Sequence, residues 1–247
     1  MKKIFAKGFI GCTAILTASM FNNETVTQWD YNWDFLNNRK NSFDTSKNYA
    51  CHHIVLVRHG QYVLTGDPQD RKLTELGREQ AILTGKRLKE LNLKFDKVVT
   101  STMVRAIETT DLIISEIGNH TVFSEKDLEE GPPCTPEPPS SNYKIVTRNL
   151  FVHSARIESA FRKLFYRIER PNSAENGKRD YYTLMVCHAN VIRYFLCRAL
   201  QFPADGWLRF SLDHASITRL SIYSDGRVFL ECYSDAGHIP ASSVTRS

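Results

Sequence analysis

His59 sits between Arg58 and Gly60, directly after the apolar run Ile54-Val55-Leu56-Val57. His188 follows a second such run, Thr183-Leu184-Met185-Val186-Cys187. Arg105 stands four residues beyond Ser101, near the start of a helical stretch. Two histidines and two arginines in such places make a dense positive pocket that suits a phosphoryl group. A guanidinium pairs with phosphate oxygens two at a time and keeps its charge. A neutral imidazole nitrogen can attack phosphorus and form a phosphohistidine, which divides one hard step into two easier ones. The leaving oxygen then needs a proton. The acidic stretch Asp127-Leu128-Glu129-Glu130-Gly131-Pro132 is the expected source. The sequence carries no metal-ligand spacing and no glycine-rich nucleotide loop, so no metal or cofactor is expected.

These groups must be held by a scaffold. The run Ile54–Val57 reads as a central strand of a parallel sheet. A histidine at its carboxyl end stands where open α/β sheets place ligands. Thr74 can cap a helix running to about Leu91. Gly77, Ala81, Gly85 and Leu88 form a small-residue face on it, expected to lie close on the sheet. A second strand spans Phe95–Thr100, and Ser101 is expected to cap the helix that carries Arg105. The run Thr183–Cys187 is the next strand, followed by a helix from Val191 to Leu200. Two last strands, Ser216–Tyr223 and Arg227–Tyr233, flank Asp225-Gly226, a two-residue hairpin signal. The predicted fold is a three-layer α/β/α domain with a mostly parallel central sheet.

The chain has 247 residues and 42% apolar residues, enough for one domain with a full core plus extra segments. The net charge of +5 gives no case for nucleic-acid binding, since Lys2, Lys3 and Lys7 supply much of it. Six cysteines with no CxxC pair read as inert thiols in a reducing compartment. Residues 1–21 begin with lysines and continue as an apolar run. They read as a membrane anchor, with a secretory signal as the rival that the unpaired cysteines disfavour. Residues 22–50 are polar and read as a linker, and residues 51–240 as the domain, with 241–247 as a tail. Within the linker, Trp29-Asp30-Tyr31-Asn32-Trp33-Asp34 sets aromatics in a polar tether. Such clusters tend to mark contact sites, so Trp29, Asp30, Trp33 and Asp34 are expected to drive self-association. The other reading has them packed back on their own domain.

Leu56-Val57-Arg58-His59-Gly60 closely resembles the signature of the histidine phosphatase superfamily, the phosphoglycerate mutase-like fold. Thr74–Ala81, Ser101–Thr109 and Cys187–Tyr194 resemble further blocks of that family in the same order. The resemblance implies that His59 is the nucleophile and that Arg58, Arg105 and His188 bind the phosphoryl group. It also places His188 near the transition-state oxygen. It implies Glu130 as the acid, because Glu130 directly precedes Gly131, with Glu129 as the neighbouring rival. Within the superfamily, Trp29–Asp34, Cys197–Pro203, Gly206–Arg209 and Thr245-Arg246-Ser247 resemble a mitochondrial protein-phosphatase branch. That likeness implies phosphoserine and phosphothreonine proteins as substrates and stress-signalling kinases as partners. It also implies assembly into dimers and higher oligomers, and anchoring at a mitochondrial membrane, the outer one favoured. Gln61-Tyr62-Val63-Leu64 replaces the Asn-containing stretch of the sugar-phosphate members, which argues against a small phosphosugar. The competing functions are a small-molecule phosphatase or mutase, and a non-catalytic membrane scaffold.

Overall fold

A computed structural model describes residues 28–35, 50–141, 143–168 and 180–246. The expected anchor at residues 1–21 and much of the linker lie outside these. No described helix is long and apolar enough to cross a membrane.

Six strands form one sheet: β1 (Cys51–Arg58), β2 (Lys97–Ser101), β3 (Val122–Glu125), β4 (Tyr181–Cys187), β5 (Ile217–Tyr223) and β6 (Val228–Asp235). Their order is β3-β2-β4-β1-β5-β6. The first four run parallel, and β5 and β6 add an antiparallel hairpin beside β1. Gly226 turns that hairpin at φ 96°, where a side chain would be strained.

Strand periodicity builds the layers. On β1, Ile54 and Leu56 face one core with Met185, Phe161, Ile192 and Phe195. Val55 and Val57 face the other with Leu184, Val186, Leu88 and Ile113. Helices α1 (Glu75–Glu90) and α2 (Val104–Ile117) therefore cover one face, and α3 (Thr147–Leu164) and α4 (Ala189–Ala199) the other. This is the expected three-layer architecture. Thr74 caps α1 as predicted, its side chain accepting from the Gly77 amide at 3.0 Å.

Three expectations are corrected. The glycines of α1 do not set its approach to the sheet, which Leu88 of the same face meets beside Val55 and Val57. A Cβ on Gly85 would stand 2.9 Å from the Glu116 Cβ and 3.1 Å from the Ile113 Cα, so the close approach is to α2. Ser101 is not a helix cap. It ends β2, and α2 starts behind Met103 with no side-chain cap bond. Nor are the tether aromatics exposed. Trp33 is 9% exposed within the core of α3 and α4. The indoles of Trp33 and Trp29 donate to the Gly226 carbonyl at 2.8 and 3.2 Å. Asp34 takes a two-pronged ion pair from Arg167, and Gln201 bonds both the amide and the carbonyl of Asp30. The partner of these aromatics is a turn almost two hundred residues downstream, which no local pattern reveals. Strand β3 and helix α3 have no counterpart in the sequence reading, although α3 buries Ile157, Ala160, Phe161 and Leu164 at helical spacing.

Candidate active site

The register β1–β4 sets Arg58 opposite Cys187, and the His59 amide donates to the Cys187 carbonyl at 3.0 Å. Two strand ends thus deliver His59 and His188 side by side, with ring centroids 5.0 Å apart. Glycine is required after His59, because a Cβ at Gly60 would stand 2.4 Å from the Gly77 carbonyl oxygen. The resulting close packing buries His59 to 1% exposure.

His59 Nδ1 lies 2.8 Å from the Gly60 carbonyl, which can only accept. Nδ1 therefore carries the proton, and Nε2 keeps its lone pair. That lone pair receives the Arg105 Nε at 3.2 Å. Burial holds the imidazole well below its ordinary pKa, helped by His188, Arg58 and Arg105. The ring is neutral at pH 7 and aims an unprotonated nitrogen at a guanidinium. That is what a nucleophile toward a bound anion requires.

His188 is fully buried. Its Nε2 is 2.8 Å from Ser101 Oγ, which explains the serine at the end of β2. Its Nδ1 is buried with no hydrogen-bond partner among the described residues. Such an atom costs about 1–3 kcal/mol unless a ligand meets it. Arg105 is fixed by Pro68 O at 2.8 Å and Met103 Sδ at 3.3 Å. Arg58 donates to Leu212 O at 2.5 Å, and burial lowers its pKa to about 10, so it stays charged at neutral pH.

The two acidic candidates part company. Glu129 accepts from Gln69 Nε2 at 2.8 Å and Thr102 Oγ1 at 2.5 Å, so its carboxylate is bound to two neutral side chains. Glu130 Oε1 accepts from the amides of Gly131 and Asn190, each at 3.2 Å. Asn190 is the second residue of α4, so Glu130 sits at a helix N-terminus beside His188. Burial raises the Glu130 carboxyl above its ordinary pKa, against the pull of Arg105 and Arg58. Of the pair, Glu130 is the one coupled to both arginines.

Four further residues shape this pocket: Arg156, Tyr143 and His214, to which the sequence reading gives no role, and Tyr62, which it takes only as part of the stretch that argues against a phosphosugar. The Tyr62 ring meets His59 edge-on at 4.9 Å and lies under the Arg105 guanidinium at 4.8 Å. Arg156 of α3 binds the carbonyls of Lys126, Asp127 and Glu129 and thereby holds the acidic loop. Tyr143 accepts from Asn190 Nδ2 at 2.9 Å. His214 stands 5.7 Å from His59, ring to ring. A signal existed for Tyr62, three residues after the key histidine, but none for the other three, which arrive from remote elements.

This arrangement coincides with a known family. The model of the histidine phosphatase superfamily (branch 1) matches residues 54–132 and 154–235. The chain belongs to that superfamily. It is 45% identical over 237 residues to the mitochondrial serine/threonine-protein phosphatase Pgam5 of Drosophila erecta, covering 88% of this chain and 80% of the relative. It is 44% identical over 237 residues to the mitochondrial serine/threonine-protein phosphatase PGAM5 of Homo sapiens, with 89% and 80% covered. Among solved structures, the phosphoglycerate mutase from Plasmodium falciparum is 32% identical with a TM-score of 0.54. That likeness covers 80% of this chain and 99% of the other.

Proposed function

We propose that this chain is a protein serine/threonine phosphatase that works through a phosphohistidine at His59, without significant phosphoglycerate mutase activity. The observation that carries the reading is the His59 ring, with Nδ1 tied to the Gly60 carbonyl and Nε2 turned to Arg105. In the first step His59 Nε2 bonds to phosphorus as the bond to the serine or threonine oxygen breaks. Glu130, protonated, gives its proton to that oxygen. Arg58, Arg105 and His188 hold the phosphoryl oxygens, with His188 Nδ1 supplying an otherwise unmet buried atom. In the second step water attacks phosphorus, the Glu130 carboxylate takes its proton, and His59 and inorganic phosphate are released.

A phosphoprotein substrate is favoured by the relatives, which are named serine/threonine-protein phosphatases, and by Tyr62, whose ring lies beside Arg105. The exposed Val63 and Leu64 that follow suit a peptide rather than a sugar. The test compares phosphoserine and phosphothreonine peptides with 3-phosphoglycerate. Phosphopeptide turnover with radiolabel trapped on wild type and absent from His59→Ala is expected. Mutase turnover exceeding peptide turnover would reverse the assignment.

The relatives are named as mitochondrial, and we assign this chain to the same compartment. Residues 1–21 serve as its membrane anchor, residues 22–50 as the linker and 51–240 as the phosphatase domain. The Trp29–Asp34 segment is the assembly element. Its docking site around Gly226 and Arg167 is present on every copy of the chain, so the same contacts can be made between two copies. Light scattering of Trp29→Ala/Trp33→Ala against wild type tests this, and an unchanged mass would restrict the contact to one chain.

A further inference from the structure

Beyond β6 the chain returns to the catalytic pocket. Gln80, fully buried in α1, accepts the Gln61 amide at 2.9 Å on Oε1. Its Nε2 donates to the Ser243 carbonyl at 2.7 Å and to Thr245 Oγ1 at 2.9 Å. An N–H on one side and a carbonyl on the other leave only one orientation for this amide. One buried side chain therefore ties the residue two places after the nucleophile to the segment 243–245.

Thr245 in turn grips His214 twice. The His214 amide donates to the Thr245 carbonyl at 3.0 Å, and His214 Nδ1 is 2.9 Å from Thr245 Oγ1. The next residue, Arg246, places Nε 2.6 Å from Asp213 Oδ1. Two adjacent tail residues thus hold two adjacent residues at the pocket rim. The buried His214 ring stands 5.7 Å from His59 and 6.1 Å from Tyr62. Among the described residues, His188, Tyr62 and His214 are the rings around the nucleophile. Tyr62 also carries the Arg105 guanidinium on its face. Burial, with Arg58 beside it, lowers the His214 pKa to about 3, so the ring adds no charge to a pocket built for an anion.

We propose that Thr245 is a positioning residue for the phosphatase reaction: its hydroxyl, anchored by Gln80, fixes the His214 ring against His59 and Tyr62. The chemistry calls for it, because in-line attack by Nε2 tolerates little rotation of the His59 ring. A misplacement of about 1 Å far from the reacting atoms can cost as much as a hundredfold in rate. The inference rests on the proposed His59 chemistry but not on a phosphoprotein substrate.

The test uses the full chain and p-nitrophenyl phosphate, with His59→Ala as the reference for the proposed chemistry. Thr245→Val keeps the shape and removes the hydroxyl. It should lower kcat about tenfold with KM within about twofold. Thr245→Ser should restore turnover to within about twofold of wild type. In a His214→Ala background, Thr245→Val should cost less than about twofold more, since a shared pathway is not additive. Independently of turnover, the His59 ring nitrogen resonances should move in Thr245→Val and not in Thr245→Ser. Thr245→Ala replaces the valine variant if that variant does not fold. Wild-type rates and unmoved resonances in Thr245→Val would overturn the proposal. So would a full tenfold loss that persists without His214, or a serine variant as slow as valine. Turnover retained by His59→Ala would instead count against the proposed function, and the ring resonances would still decide the role of Thr245.

Discussion

Strand β1 carries buried histidines at both ends, and the two ends do opposite work. At its amino end His52 is fully buried with both nitrogens bound, Nδ1 3.0 Å from the Tyr166 carbonyl and Nε2 2.8 Å from Thr183 Oγ1. At its carboxyl end His59 is equally buried, but only Nδ1 is tied to a carbonyl, and Nε2 meets only a cation. Residue type and burial are shared, and both sit at ends of one strand, His59 one residue past it. What separates a structural histidine from a nucleophile is whether the second nitrogen has been consumed. The surroundings follow the same division. The carboxyl end gathers Arg58, Arg105 and His188. The amino end pairs His53 with Asp180 at 3.7 Å and with Glu231 at 3.4 Å.

The largest expected effect lies at the carboxyl end. His59→Ala should remove at least about a thousandfold of the phosphatase rate, since no neighbour can replace a covalent nucleophile. Its fold should remain, because the ring contributes no hydrogen bond beyond its own loop and Arg105. Circular dichroism and steady-state turnover check both halves. A rate within about tenfold of wild type would erase the contrast between the two ends.

The amino end should answer to acid instead. Burial lowers the His52 pKa from 6.5 to about 4. The folded protein therefore holds this ring neutral at pH values where the unfolded chain has already protonated it. The unfolded state binds more protons in that window, so the His52 contribution to stability falls as pH drops from about 6.5 to about 4 and levels off below. The His52 share is about 3 kcal/mol. Urea unfolding of wild type and His52→Gln across that window checks it. The variant should show a flatter curve, with turnover at pH 7 within about twofold of wild type.

Third in size is the proton donor. Glu130→Gln should slow phosphoserine peptide about a hundredfold and p-nitrophenyl phosphate much less, because a good leaving group needs no acid. Glu129→Gln removes the charge but keeps an oxygen that can accept from Gln69 and Thr102, so it should slow both substrates equally and mildly. Equal losses on both substrates for Glu130→Gln would remove it from the role and leave His59 without an assigned acid.

The two ends also differ in how far the sequence discloses them. His59 and His188 were legible because each follows an apolar run, and the end of a buried strand is a place that local periodicity defines. Thr74 and the Asp225-Gly226 turn were legible for the same reason, since capping and turning are settled within a few residues. Ser101 was misread because a serine before a helix looks like a cap, whereas its real partner, His188, is 87 residues away. The same holds for Trp33 against Gly226, for Arg156 under the acidic loop and for His214 beside His59. Each is a contact between remote elements, and chain pattern carries no trace of it. Helix α3 was a different failure, because its buried face at Ile157, Ala160, Phe161 and Leu164 did carry the period.

The smallest expected effect sharpens the contrast most. His53 lies one residue from His52 and bonds Ser221 Oγ at 2.9 Å, while Glu231 reaches both His53 and Arg219. On charge alone this cluster resembles a second site. Yet its members are partly exposed, and ion pairs of that kind contribute about 0–1 kcal/mol. Asp180 also accepts the Cys51 amide at 3.2 Å, which marks it as an anchor for the start of β1. Asp180→Asn/Glu231→Gln should therefore lower stability by no more than about 1 kcal/mol and leave kcat within about twofold. Both side chains keep their size and one hydrogen-bonding oxygen, so loss of charge is the main change. Thermal unfolding and turnover on p-nitrophenyl phosphate, measured side by side, check it. A loss of rate without a loss of stability would mean that β1 transmits charge from one end to the other. The two histidine ends would then be a single device rather than a fastening and a site.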